Sequence, residues 1–124
     1  MSYEPYSERV RALFNAPSHV GPLQGGVSAV TEDQGLRICL SATASGGQIS
    51  ALRFQVWGCP HLIAASEAFC AEYEQRPVAD LLDFSASDLM QSLPVPTEKT
   101  GRILVLEDAV RSLGCIVRDT SIPD

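Results

Sequence analysis

The spacing of hydrophobic residues changes near residue 58. In the strands ahead of that point it is two; after it, three and four. Leu36, Ile38, Leu40 and Ala42 alternate with Arg37, Cys39, Ser41 and Thr43, the pattern of a strand with one face buried. Ser45, Gly46 and Gly47 supply a turn, and Gln48 to Trp57 returns with Leu52, Phe54 and Val56 on one face and Arg53 and Gln55 on the other. An antiparallel hairpin is therefore expected over Leu36 to Trp57. Val27 to Thr31 reads as a shorter strand ahead of a turn over Glu32 to Gly35. Upstream, Ser7 to Asn15 forms an amphipathic helix, with Ser7 as cap, Val10, Leu13 and Phe14 on one face and Pro17 as stop. Ser18 to Gly26 is read as a loop.

Beyond residue 58 the pattern is helical. Pro60 to Glu74 places Leu62, Ala65, Phe69 and Tyr73 on one side, with Ile63 and Cys70 adjoining, and Arg76 and Pro77 end it. Val78 to Leu82 is a helical turn, and Ser85 to Asp88 resembles a capping signal before Leu89 to Leu93. Leu93 to Pro96 reads as an exposed extended loop. A last helix is expected from about Gly101 to Arg118, striped by Ile103, Leu106, Val110, Leu113 and Val117, with a disordered tail over Asp119 to Asp124. The order helix, strands, helices predicts one α+β domain over residues 1–124: a small antiparallel three-stranded sheet packed on one face by helices.

Composition narrows the function. At 124 residues and 45% hydrophobic, the chain can bury a core without metal or disulfide staples. A net charge of −6 disfavours a sequence-independent grip on nucleic acid, which needs clustered Lys and Arg against phosphate. No apolar run has membrane-spanning length, and the first residues lack the apolar core of a signal peptide, so a cytoplasmic protein is expected. Cys39, Cys59, Cys70 and Cys115 contain no C-x-x-C pair, and no disulfide framework is expected.

Chemistry concentrates where the two spacings meet. β-Branched and aromatic residues end at Gly58, and Pro60 suits the first helical position, where no backbone N–H is required. Cys59 thereby falls at or beside the helix N-cap, facing unpaired N–H groups and the positive end of the helix dipole. That setting favours a thiolate as nucleophile or metal ligand. His61 follows as a second ligand, or as an exposed or locally bonded ring. Cys39, Cys70 and Cys115 are read as packing residues and Asp33 as a turn residue. His19 is an ordinary loop residue, and Lys99 and Arg102 are solvated charges. Cys59 and His61 supply two ligands at most, fewer than a structural zinc site or an iron–sulfur cluster takes. No Ser-His-Asp order, phosphate-cradling loop or His-Glu-x-x-His supports an enzyme.

Several stretches carry a resemblance. Tyr6 to Val10, Phe14 to Pro17 with Val20 and Gly21, Gly47 to Cys59, Ile63 to Ser66, Glu98 with Lys99, and Ile103 to Val110 together resemble the IscU/NifU-type iron–sulfur cluster assembly scaffolds, in the same order along the chain. The resemblance implies an IscU/SufE-like fold. It also implies a scaffold that takes sulfur from a cysteine desulfurase, builds a 2Fe–2S cluster and passes it to acceptor proteins. The family's ligands are three cysteines, an aspartate and sometimes a histidine. Cys59 matches the second cysteine, and Asp33 holds the place of the first. In the family's Glu-Lys-Ile-His-Cys-Ser stretch, Gly101 and Arg102 replace the histidine and the third cysteine. The chaperone-binding Leu-Pro-Pro-Val-Lys is reduced to Leu93-Pro-Val-Pro96. Arg102 adds a positive charge that favours an anion and opposes a cation.

Two roles follow from these departures. In one, Cys59 binds iron, sulfur or a 2Fe–2S cluster, with zinc as the alternative metal. Asp33 and His61 assist, and the missing ligands come from a homodimer partner or small thiols. In the other, the chain is a degenerate scaffold, acting as a metal-free interaction module or as a thiol and sulfur acceptor.

Overall fold

A computed structural model describes residues 8–21, 23–33, 35–93 and 100–120. Its elements are α1 (Glu8–Asn15), β1 (Val27–Asp33), β2 (Leu36–Ser45), β3 (Gln48–Trp57), α2 (Pro60–Tyr73), α3 (Ala79–Leu82), α4 (Ala86–Ser92) and α5 (Thr100–Thr120). The sheet is antiparallel in the order β1-β2-β3, so the expected α+β architecture is what the chain adopts. The expected Ser7 cap, Pro94 to Pro96 of the expected loop and the tail beyond Thr120 lie outside the described residues; Leu93, read as the start of that exposed loop, is instead fully buried.

The hairpin forms as its alternation dictates. Ala29, Leu40 and Phe54 lie in one row across the three strands, flanked by Val27, Ala42 and Leu52. All but Val27 are buried. Gly46 and Gly47 connect β2 to β3 with φ of 61° and 80°, the two left-handed residues that a two-residue hairpin turn requires. At the other turn the structure departs from expectation. Glu32 and Asp33 continue β1, pairing with Arg37 and Leu36, and the chain reverses at Gly35, where φ is +76°.

Both halves of the outer edge of β3 are covered by the chain itself. Phe54 N–H donates to His19 O at 2.8 Å and Gly21 N–H to Phe54 O at 2.9 Å. Farther back, Ile49 N–H donates to Arg76 O, Gln75 N–H to Ile49 O and Val78 N–H to Gly47 O, each within 2.9 Å. Backbone groups that would otherwise template another strand are satisfied internally.

Helix α2 packs against β3 and α1. Leu62, Ala64, Ala65, Ser66, Phe69 and Cys70 are fully buried, and Glu67 and Ala68 nearly so. The single apolar face read from the sequence is therefore corrected to a helix buried almost all round, because α1 and α5 pack on it as well as β3. Phe69, Tyr73 and Phe84 form an aromatic cluster with ring centroids 5.0–5.6 Å apart.

Helix α5 crosses β1 and β2 and closes the core with Ile103, Leu106, Ala109, Val110 and Leu113. It continues through Asp119 and Thr120, so these two residues are helical rather than part of a disordered tail. Gly114 lets α3 approach: a Cβ there would stand 3.0 Å from the Cβ of Leu81. α4 starts at Ala86, three residues earlier than the apolar pattern alone suggests, with Ser85 at its N-cap. The Ser85 side chain makes no capping bond; Glu107 of α5 accepts the Ala86 N–H instead, at 3.0 Å. Among the described residues no helix is long and apolar enough to cross a membrane.

The burial pattern sets the expected response to truncation. Phe69→Ala, at the centre of the aromatic cluster, lowers unfolding free energy by about 3–5 kcal/mol. Leu104→Ala, at an exposed position of α5, changes it by less than about 0.5 kcal/mol. Urea unfolding of the two variants measures the difference.

Candidate functional site

The junction between β3 and α2 is set by Gly58. Its φ of +139° is a backbone conformation that essentially glycine alone adopts, and a Cβ there would collide with the Cδ2 of Leu36. The chain thus turns out of the sheet directly against Leu36. Cys59 follows as the N-cap of α2, with φ −80° and ψ 134°, and Pro60 takes the first helical position. The Cys59 carbonyl accepts the N–H groups of Leu62 and Ile63 at 3.0 and 3.1 Å, closing the first turn. Its side chain makes no capping hydrogen bond. The thiol and the imidazole of His61 stand together, Sγ to Nδ1 3.9 Å, and both residues are buried, at 4% and 2% exposure.

Asp33 ends β1 opposite Leu36, the residue whose side chain touches Gly58. It is therefore at the same end of the sheet as Cys59, but exposed. Glu32, Asp33, Gly35, Leu36 and Arg37 line a shallow surface pocket there. Arg37 stacks on Trp57, with its guanidinium carbon 5.0 Å from the ring centroid, and pairs with Glu32 at 3.4 Å. Trp57 remains half exposed. Gly101 and Arg102 fall in the first turn of α5, which carries no acidic residue, so Arg102 adds its charge to the positive end of that helix. Cys59 and His61 are thus brought together, while Asp33, Gly101 and Arg102 sit on other elements. Among the described residues no group of three or more His, Cys, Asp or Glu side chains could hold a metal ion.

The remaining cysteines are dispersed. Cys39 is half-buried in β2, Cys115 is exposed on α5, and Cys70 is fully buried in α2. Burial, reinforced by the charges of Glu67 and Glu74, pushes the Cys70 thiol far up, so it stays protonated.

A second polar cluster, built around His19, has no counterpart in the sequence-based expectations. Glu67, 5% exposed, accepts the Ser18 and His19 backbone N–H groups at 2.8 and 2.9 Å through Oε1. Its Oε2 meets His19 Nδ1 at 2.6 Å. The other ring nitrogen, Nε2, meets Glu74 Oε1 at 3.1 Å. Glu74 Oε2 accepts the Leu52 N–H at 2.8 Å and the Arg53 guanidinium at 2.9 Å. One signal in the sequence points this way: Glu67 interrupts an apolar stretch between Ser66 and Ala68, where a charge requires a partner.

Comparison with known proteins places this architecture. The family model described as the NifU-like N-terminal domain matches residues 5–113. The fold is similar to that of a nitrogen-fixing NifU-like protein (N-terminal) from Brucella abortus, with TM-score 0.74 and 14% identity, over 93% of this chain and 95% of that one. It is also similar to a candidate iron–sulfur cluster assembly scaffold protein for the SUF system from Fervidobacterium islandicum. There the TM-score is 0.59 and the identity 15%, over 91% and 86% of the two chains. A search of curated proteins finds no match.

Two outcomes follow from this geometry. Gly58→Ala lowers stability by on the order of 1–3 kcal/mol through its backbone conformation and the Leu36 contact, as read by chemical denaturation. Burial works against the charge of Glu74, yet the bonds from Leu52, His19 and Arg53 prevail and hold its carboxyl below the ordinary 4.5. The resulting stabilisation is complete above pH 4.5 and is lost as pH falls through the lower folded value. Urea midpoints measured above and below pH 4.5 therefore drop more steeply for the wild type than for Glu74→Gln.

Proposed function

Because the chain belongs to the family of NifU-like N-terminal domains, we propose that it takes part in iron–sulfur cluster assembly, holding sulfur, iron or a 2Fe–2S cluster at Cys59. The observation that supports this reading is the placement of Cys59: the N-cap of a buried helix, 3.9 Å from an imidazole nitrogen, at the end of the sheet that also carries Asp33. Unpaired N–H groups at a helix start favour a negatively charged ligand, whether the thiolate itself, a persulfide or a sulfide-bearing cluster.

The donor set of one chain falls short of a four-ligand cluster. The thiol and imidazole supply two donors, and Asp33 would have to approach from β1. Cargo held here draws its remaining ligands from a second copy of the chain, from small thiols, or from the donor and acceptor proteins between which it passes. A cysteine desulfurase as sulfur source and apo-proteins as recipients complete such a cycle. Arg102, with no carboxylate beside it in the first turn of α5, favours anionic cargo over a bare cation. The depth of Cys59 adds a condition: the Gly58–Cys59 junction must open before cargo larger than a sulfur atom can bind. The glycine backbone gives that junction its freedom.

A second reading is favoured by a separate observation, that no group of three or more donors comes together among the described residues. In it the same fold serves as a metal-free module that docks on the assembly machinery.

Anaerobic reconstitution with ferrous iron, sulfide and a small thiol, beside a Cys59→Ala control, separates the two. Under the first reading the wild type gains visible cluster absorption and bound iron, and the variant gains neither while keeping its fold. Equal loading of wild type and variant removes Cys59 from the mechanism. A colourless, iron-free wild type that still captures the desulfurase supports the second reading.

A further inference from the structure

His19 lies between two carboxylates, one at each ring nitrogen. Nδ1 is 2.6 Å from Glu67 Oε2 and Nε2 is 3.1 Å from Glu74 Oε1. A neutral imidazole has one N–H and one lone pair, so one of these contacts would set a lone pair against carboxylate oxygen. Both are hydrogen bonds only when each nitrogen carries a proton, or when a carboxyl supplies one. Among the described residues Glu67 Oε2 meets His19 alone, whereas Glu74 Oε2 is satisfied by Leu52 N–H and Arg53. With a cationic ring the cluster is balanced: Glu67 and Glu74 against His19 and Arg53.

The neighbouring elements carry further charged and titratable groups. On α2, the Cys70 thiol lies near both carboxylates and is held neutral by burial and their charge. On β3, Arg53 is committed to Glu74 and to the Leu52 carbonyl. On α1, Glu8 and Arg11 are exposed.

We infer that His19 is a proton-controlled latch that closes the Phe54 portion of the β3 edge. The ring and the Ser18 and His19 backbone N–H groups fasten residues 18–19 to α2 through Glu67 and Glu74. So fastened, the chain places His19 O and Gly21 N–H on the backbone of Phe54. When the ring gives up one of its two protons, one charge-assisted contact becomes lone pair against carboxylate. The segment then loosens and uncovers the Phe54 N–H and C=O, the backbone pair that an incoming strand would use. The latch requires neither metal nor cluster and does not depend on the iron–sulfur reading.

Nuclear magnetic resonance on the full chain tests this. The His19 ring nitrogens are followed through their titration while amide exchange, corrected for intrinsic rate, is measured at Phe54, Gly21, Ile49 and Val78. Ile49 and Val78 bond to the 75–78 segment on the other half of the same edge. The latch predicts that both ring nitrogens carry protons while Phe54 and Gly21 are protected. On loss of one ring proton, protection of Phe54 and Gly21 falls about tenfold or more, the factor of one charge-assisted hydrogen bond, while Ile49 and Val78 hold. Three results overturn the inference: a neutral ring with full protection at Phe54 and Gly21, a ring titration that leaves their protection unchanged, or loss of protection at all four amides together.

Discussion

Helix α2 gives up nearly its whole surface to its neighbours, and most of the molecule is arranged to allow that. It packs against β3, α1 and α5, and its Phe69 meets Phe84. Full burial of a helix is tolerable when its polar groups are answered. Here the Ser66 hydroxyl donates to the Leu62 carbonyl, and Glu67 accepts the two backbone N–H groups of the 18–19 segment. Glu67 inside this packing is a charged group whose desolvation is offset by hydrogen bonds supplied from outside the helix. The loop that supplies them also finishes the edge of the sheet, so the packing of α2 and the closure of β3 are linked through one carboxylate.

The same packing shapes the candidate site. Gly58 has to pass against Leu36 to bring the chain from sheet to helix, and the first residue after it is Cys59. The thiol's position at the helix start is therefore a by-product of how β3 hands over to α2. Replacing Cys59 would leave this handover intact, whereas replacing Gly58 would strain it. Site and scaffold can therefore vary separately.

What could be read from the sequence was what depends on near neighbours. Alternation in Leu36 to Ala42 and the paired glycines at 46 and 47 specify the hairpin. Gly58 followed two residues later by Pro60 specifies the helix start and with it the adjacency of Cys59 and His61. Long-range partners escaped. The burial of α2 beyond its apolar face requires α1 and α5, which only the tertiary arrangement supplies. Ser85 looks like a cap, but the N–H behind it is taken by Glu107, 21 residues on. His19 looked like an ordinary loop residue because its two carboxylates lie 48 and 55 residues away. Asp33 read as part of a turn, since nothing in Glu32 to Gly35 indicates that β1 extends its pairing to Asp33.

The 4% exposure of Cys59 carries a kinetic consequence. A thiol under that much cover meets reagents, sulfur donors or oxidants through transient opening of the β3–α2 junction. Its observed reactivity is then the product of an opening equilibrium and an intrinsic rate. A partner protein that binds and holds the open form would accelerate every reaction of that sulfur without touching it. Chemical access would become a property of the complex rather than of the isolated chain.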